Sequence, residues 1–361
     1  MIASAQPTPT VKTQIVEDRY DSGELEVRRS IRKDAKGDQI NHGPYERFYK
    51  NGKPAAKYEY RNGKREGPWT EWHDNGQKKA EGTSLNDLQH GLETTYDKQG
   101  LKKQEITFVR GQRQGLQITY HKNGEKAQEE SYDKGELHGP RKSWFDNGKP
   151  KSSAEYVHGS KNGKESQWNR DGDLVSEVMY KDNVKHGEYR DWYRASFPKS
   201  ERVYKDGLLD GPFTTYNDDG SIKTQGKYVD GQKDGEWKEW WTEKDQHAPA
   251  LECTFKEGVL VDDRRTWHRN GQLESLTTYD NGRKEGLAIT WYENGQKKTE
   301  CLYDRDFAVG RMLSWHPSGM PRLFVEYIRG AKEGPQLEWN EQGEIISSML
   351  YRNGVAEKNR N

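Results

Sequence analysis

Two cysteines, Cys253 and Cys301, are all that 361 residues contain. That count supports neither a disulfide framework nor a cysteine metal cluster. No stretch of about 18 apolar residues occurs, so no transmembrane helix is expected. Hydrophobic residues make up only 30% of the chain, too little for a thick globular core. An excess of either charge is also missing: 59 basic residues face 59 acidic ones, interspersed along the whole chain. A nucleic-acid binder needs a concentrated basic face, so no nucleic-acid partner is expected. Catalytic signatures are absent too: there is no HExxH, CxxC or GxSxG, and Gly163-Lys164 lacks the upstream glycine loop of a phosphate cradle. The expectation is a chain that is not an enzyme and has no cofactor and no metal.

Aromatics, at 11%, and 37 glycines are what the chain has in quantity. Disordered chains are poor in aromatics; regular aromatic and glycine spacing marks repetitive β-structure. Taking position 0 as a glycine, the series Gly43, Gly67, Gly91, Gly115, Gly139, Gly163, Gly187, Gly211 and Gly235 advances in steps of 24 residues. Three extra residues follow, Asp262 takes the next place, and Gly286, Gly310 and Gly334 resume the period. Self-similarity over thirteen copies is the signature of a repeat array.

Position 5 is always aromatic: Phe48, Trp72, Tyr96, Tyr120, Trp144, Trp168, Trp192, Tyr216, Trp240, Trp267, Trp291, Trp315 and Trp339. Position 17 is aromatic in every copy but that of Ser84, from Tyr60 and Phe108 to Tyr327 and Tyr351. These ladders are expected to be structural. Two bends divide each copy. One carries Asn-Gly, as in Asn75-Gly76 and Asn123-Gly124; the other carries a glycine four residues before position 0, as in Gly111 and Gly135. The segments between bends have strand length, and glycine recurs too often for a helix. Polar–apolar alternation over positions 11 to 17 indicates one covered and one wet face. A two-residue turn would place the two aromatic ladders on opposite faces. A three-residue turn with a bulge would place them on the same face, which burial favours.

The predicted fold is all-β: an elongated antiparallel β-hairpin repeat array, an up-and-down meander forming a twisted single sheet of thirteen 24-residue repeats. Residues 1–18 read as a disordered lead-in, 19–354 as the array and 355–361 as a tail. Tyr20–Lys36 reads as a divergent extra half-repeat, with Ser22-Gly23 as its turn. Ala3-Ser4-Ala5 has the small residues of an export cleavage site but no preceding apolar segment, so export and cytoplasmic residence both stay open.

Segments such as GKREGPWTEWHDNGQ and GQKDGEWKEWW resemble MORN-type repeats, with their aromatic and Gly-Lys-x-x-Gly pattern. The spacing and turns are most similar to the bacterial variant whose members are often described as antitoxins of toxin–antitoxin pairs. The resemblance implies a non-catalytic scaffold that binds a protein partner. An antitoxin or immunity protein is the alternative, and a lipid-associated scaffold the second alternative. Membrane association is not expected at zero net charge, and self-association stays open.

The histidines His42, His90, His138 and His186 precede position 0, and His73, His121, His268 and His316 follow the first ladder. Same-row histidines two repeats apart are separated by roughly 19 Å of sheet, too far to share a metal, and are expected to be structural. The cysteines, also two repeats apart, are expected to be separate packing residues. The departures from the repeat are more informative. Copy seven replaces its turn with Ala195-Ser196-Phe197-Pro198, and copy nine inserts residues around His247 and Pro249. Both changes fall at the same corner of the hairpin. Insertions in repeat arrays often map to the binding face, so Phe197, His247 and Pro249 are the candidate partner-binding residues.

Overall fold

The computed structural model describes residues 12–194, 197–242 and 248–357. They contain strands and turns and no helix. The chain divides into two units, Met1–Asp173 and Leu174–Asn361. In the first, strands from Gln14–Arg19 to Ser160–Trp168 form an antiparallel meander in which sequence neighbours pair. The second builds the same meander from Leu174–Lys181 to Val355–Ala356.

The array begins before the expected boundary. Gln14–Arg19 pairs with Leu25–Lys33, so residues 14–18 belong to the sheet and not to a lead-in. The Gly23 N–H donates to the Tyr20 carbonyl, which makes this segment a hairpin with the corner the repeats use. At the other end, Val355–Ala356 pairs with Tyr351–Arg352 inside the expected tail.

The two bends are different turns. At the second, Arg110 and Gly111 have φ of 50° and 82° between the paired Val109 and Gln112, a two-residue turn of type I′. A left-handed non-glycine residue costs about 1–2 kcal/mol, and every copy places one at the first position of this turn, from Asn62 to Asn353. In most copies position −1 offsets that cost by accepting from the strained residue's N–H; Val261 and Val309, at that position in copies ten and twelve, have no side-chain acceptor. Glu66 Oε2 accepts from Asn86 at 3.0 Å, Gln114 Oε1 from Lys134 at 2.9 Å and Glu285 Oε2 from Arg305 at 2.9 Å.

At the first bend the His73 N–H donates to Gln77 O, and the Gly76 N–H to His73 O, with Gly76 at φ 92°. This is the anticipated three-residue turn with its left-handed glycine. Asn75 does not take the positive φ. Its Oδ1 accepts from the Gln77 N–H at 3.0 Å, and its Nδ2 donates to Lys98 O, one repeat onward, at 2.6 Å. Asn51, Asn123, Asn147, Asn270 and Asn294 donate equivalently to the next corner. The asparagine therefore ties successive repeats together.

The ladders lie on opposite faces, contrary to the expectation from burial. Trp72 pairs with Lys78 but Glu71 with Ala80, so a second bulge follows the turn and cancels its shift. Position 17 stays with positions 2, 4 and 15, as the pairs Gly43–Tyr60 and Tyr45–Tyr58 show. Position 5 lies with position 14: Tyr96 Oη donates to Glu81 at 2.6 Å and Tyr216 Oη to Glu201 at 3.0 Å. The core is a row on the position 17 face. Position 15 supplies Tyr58, Ile106, Ala154, Val178, Cys253, Cys301 and Val325, all buried. The position 5 ladder is half-buried throughout.

Candidate functional site

Histidines and cysteines, the residue types that serve catalytic and metal sites, are mostly absorbed by the repeat geometry. In eight of the thirteen copies position 6 carries a ring that donates to the carbonyl of position 5 in the next copy. His73 Nε2 reaches Tyr96 O at 3.1 Å, His121 reaches Trp144 O at 3.0 Å, and His268 and His316 reach Trp291 O and Trp339 O at 2.9 Å each. Tyr49, Tyr292 and Trp241 do the same with other rings. His42, His90, His138 and His186 sit at position −1 and accept the type I′ turn N–H through Nδ1, at 3.3 to 3.5 Å. Cys253 and Cys301 are separate buried thiols in the position 15 row, and burial pushes both pKa values up. Among the described residues no cluster of three metal-ligating side chains occurs.

Of the three candidate residues, His247 lies outside the described residues. Pro249 opens the strand Pro249–Lys256 and pairs with Trp240. Phe197 opens the strand Phe197–Lys205 opposite Arg194. Its ring is half-buried: the Arg194 guanidinium stands 4.5 Å from the centroid, and a methyl on Gly220 would meet it at 3.8 Å. It is a packed corner residue and does not protrude.

The same three copies, seven to nine, carry a feature the sequence reading missed. Copies seven, eight and nine carry Tyr189, Phe213 and Trp237 at position 2, beside the position 17 rings Tyr204, Tyr228 and Phe255. Phe213, Tyr228, Trp237 and Phe255 form one ring cluster, and the Arg202 guanidinium stands between it and the separate Tyr189–Tyr204 pair. Tyr189 lies 6.1 Å from Tyr204, Phe213 5.4 Å from Tyr228, and Trp237 5.6 Å from Phe213 and 5.2 Å from Tyr228. Trp237 is 3% exposed and fits only because position 15 of copy eight is Gly226. A glycine inside a strand marks a close approach, and that signal was available in the sequence.

Beside the cluster, on the same face, runs an open groove of about 430 Å³. Its lining includes Lys199, Arg202, Lys223 and Lys233 against one carboxylate, Glu239, with hydroxyls from Ser200, Thr215 and Thr224. Lys199 follows the Phe197 corner by two residues, and Glu239 stands just before the corner of copy nine. A groove on the same rows of copies eleven to thirteen is of similar size, about 470 Å³, but balances Lys298 and Arg322 against Glu338. Desolvation raises the pKa of Tyr228 in the first groove, so its hydroxyl stays a neutral donor.

The architecture defines the class: a tandem β-hairpin repeat array. A sequence profile of the MORN repeat variant matches residues 41–62, 65–86, 113–134, 137–158, 161–182, 263–281 and 284–305, so these seven segments are repeats of the MORN variant. No curated protein matches the chain. Solved structures with some similarity include the Photorhabdus luminescens Tc holotoxin pore, at 11% identity and a TM-score of 0.17 over 92% of this chain and 20% of that one. Another is the TcdB2–TccC3–Cdc42 complex, at 9% identity and a TM-score of 0.18 over 94% and 25%. The chain thus spans a quarter or less of those proteins' length.

Proposed function

We propose that this protein is a non-enzymatic repeat scaffold that binds a protein partner, and that copies seven to nine carry the contact. The observation that supports the reading is the coincidence, in three successive copies, of both irregular corners, the position 2 aromatic cluster and the basic groove. Elsewhere the polar rings and asparagines serve repeat-to-repeat bonding. Departures from a regular array are where recognition has room to be specific.

The test is a photo-cross-linker scan in native cells, with a probe at position 12 in seven of the copies (Lys79, Lys103, Lys151, Lys199, Lys223, Lys298 and Arg322). Adduct yield with one partner should peak at residues 199 and 223. Uniform yields, or no protein adduct anywhere, would count against the reading.

A further inference from the structure

We propose that the groove of copies seven to nine seats an extended acidic segment of the partner, an inference that rests on the scaffold reading. Charge carries the first part of the argument. Four cations and one carboxylate line this groove in a chain whose net charge is zero, whereas the matching groove of copies eleven to thirteen has two and one. Complementary charge is what such a surface selects.

Phe213 and Trp237 point away from sugar or nucleobase stacking, because a cation stands over each ring. Lys233 Nζ stands 4.1 Å from the Trp237 ring centroid, and the Arg202 guanidinium 5.7 Å from that of Phe213. Stacking needs an open platform, and Trp237 offers 3% of its surface. What the groove presents is donors. Arg202 Nε and Trp237 Nε1 are buried with no acceptor among the described residues and are not part of that donor surface.

Spacing carries the second part. Lys199 and Lys223 are exposed and occupy position 12 of adjacent copies, two strands apart, or about 10 Å. An extended chain in polyproline II form advances about 3.1 Å per residue with three residues per turn. Carboxylates three residues apart therefore lie on one side at nearly the lysine spacing.

The experiment is fluorescence anisotropy on the full chain, using a labelled nine-residue peptide with Glu at every third position and its Gln counterpart. The acidic peptide should bind, more weakly as salt rises. Lys199→Gln with Lys223→Gln should weaken it at least tenfold, and Lys298→Gln with Arg322→Gln less than twofold. Both lysines are exposed, so an unchanged melting temperature is expected, and Lys223→Gln alone serves if the pair shifts it. Equal binding of the two peptides, equal loss from both pairs, or binding to phosphatidylserine vesicles without peptide binding would overturn the proposal. Cross-links that still peak at residues 199 and 223 would then leave the scaffold reading standing.

Discussion

Trp237 lies directly on Gly226: a methyl group built on that glycine would come within 2.5 Å of the indole ring. Gly82 receives Trp69 in the same way, at 2.8 Å. Both pairs join a position 2 indole to a position 15 glycine, so a large ring at one place demands no side chain at the other. Gly226→Ala should therefore destabilise the array by about 1–3 kcal/mol, the usual effect of overpacking, although alanine is otherwise preferred to glycine in a strand. Trp237→Leu should relieve most of that loss in the double variant. Urea unfolding of the four proteins of the cycle measures the coupling; additive losses would show that the ring does not depend on the glycine.

Deep burial and ladder membership make different demands. Trp237→Ala should cost about 3–5 kcal/mol, as expected for a fully packed aromatic, because the ring is 3% exposed. Trp291→Ala should cost roughly half as much on the same scale, since the position 5 ring is half-buried. Chemical denaturation of both variants gives the comparison, and a larger loss at Trp291 would contradict the assignment of the core to positions 2 and 15.

The corner asparagine separates two bonds that one substitution can divide. Asn123 Oδ1 accepts from the Glu125 N–H at 3.1 Å, and Nδ2 donates to Asp146 O at 2.6 Å. Asn123→Asp keeps the acceptor and removes the donor. Asn123→Ala removes both. Each bond is worth about 0.5–1.5 kcal/mol, so the alanine variant should be the less stable. Hydrogen exchange at the corner of the next repeat should rise in both. No change there would mean the repeats are not tied through this side chain.

Alkaline pH should weaken the first unit. Tyr58, Tyr96 and Tyr120 have pKa values pushed up to about 12 by burial, with the carboxylates of Glu71, Glu81 and Glu105 adding to the shift. The folded state holds these protons more tightly than the unfolded chain, whose tyrosines titrate near 10. Their stabilisation is complete below pH 10 and is lost as pH rises to about 12. A triple tyrosine-to-phenylalanine variant should show a shallower fall in urea midpoint over that range. Parallel pH profiles would remove these tyrosines from the account.

The period, the strands and both bends were legible because turn chemistry recurs at fixed spacing. The face assignment was not. A single extra residue in a strand reverses which side a side chain takes, and the second bulge, between Ala80 and Lys78 opposite Trp72, has no residue signature of its own. The structural use of His73 and His121 was expected from spacing, but their acceptor, a carbonyl of the next copy, appears only when repeats are placed side by side. Phe197 drew attention as an irregularity; the neighbouring groove went unseen because Lys199, Arg202 and Lys223 are ordinary charges in a chain full of them. Three consecutive aromatics at position 2 were visible and pointed to it.

The most direct test of the proposed contact is in-register excision of one repeat. Removing residues 211–234 joins position −1 to position 0 and eliminates copy eight; removing 115–138 makes the same join and eliminates copy four. Both shortened chains should fold, because a repeat array depends on nearest-neighbour interfaces. Partner cross-linking through residue 199 should be abolished without copy eight and unchanged without copy four. Equal retention or equal loss in two folded proteins would contradict the placement of the contact in copies seven to nine.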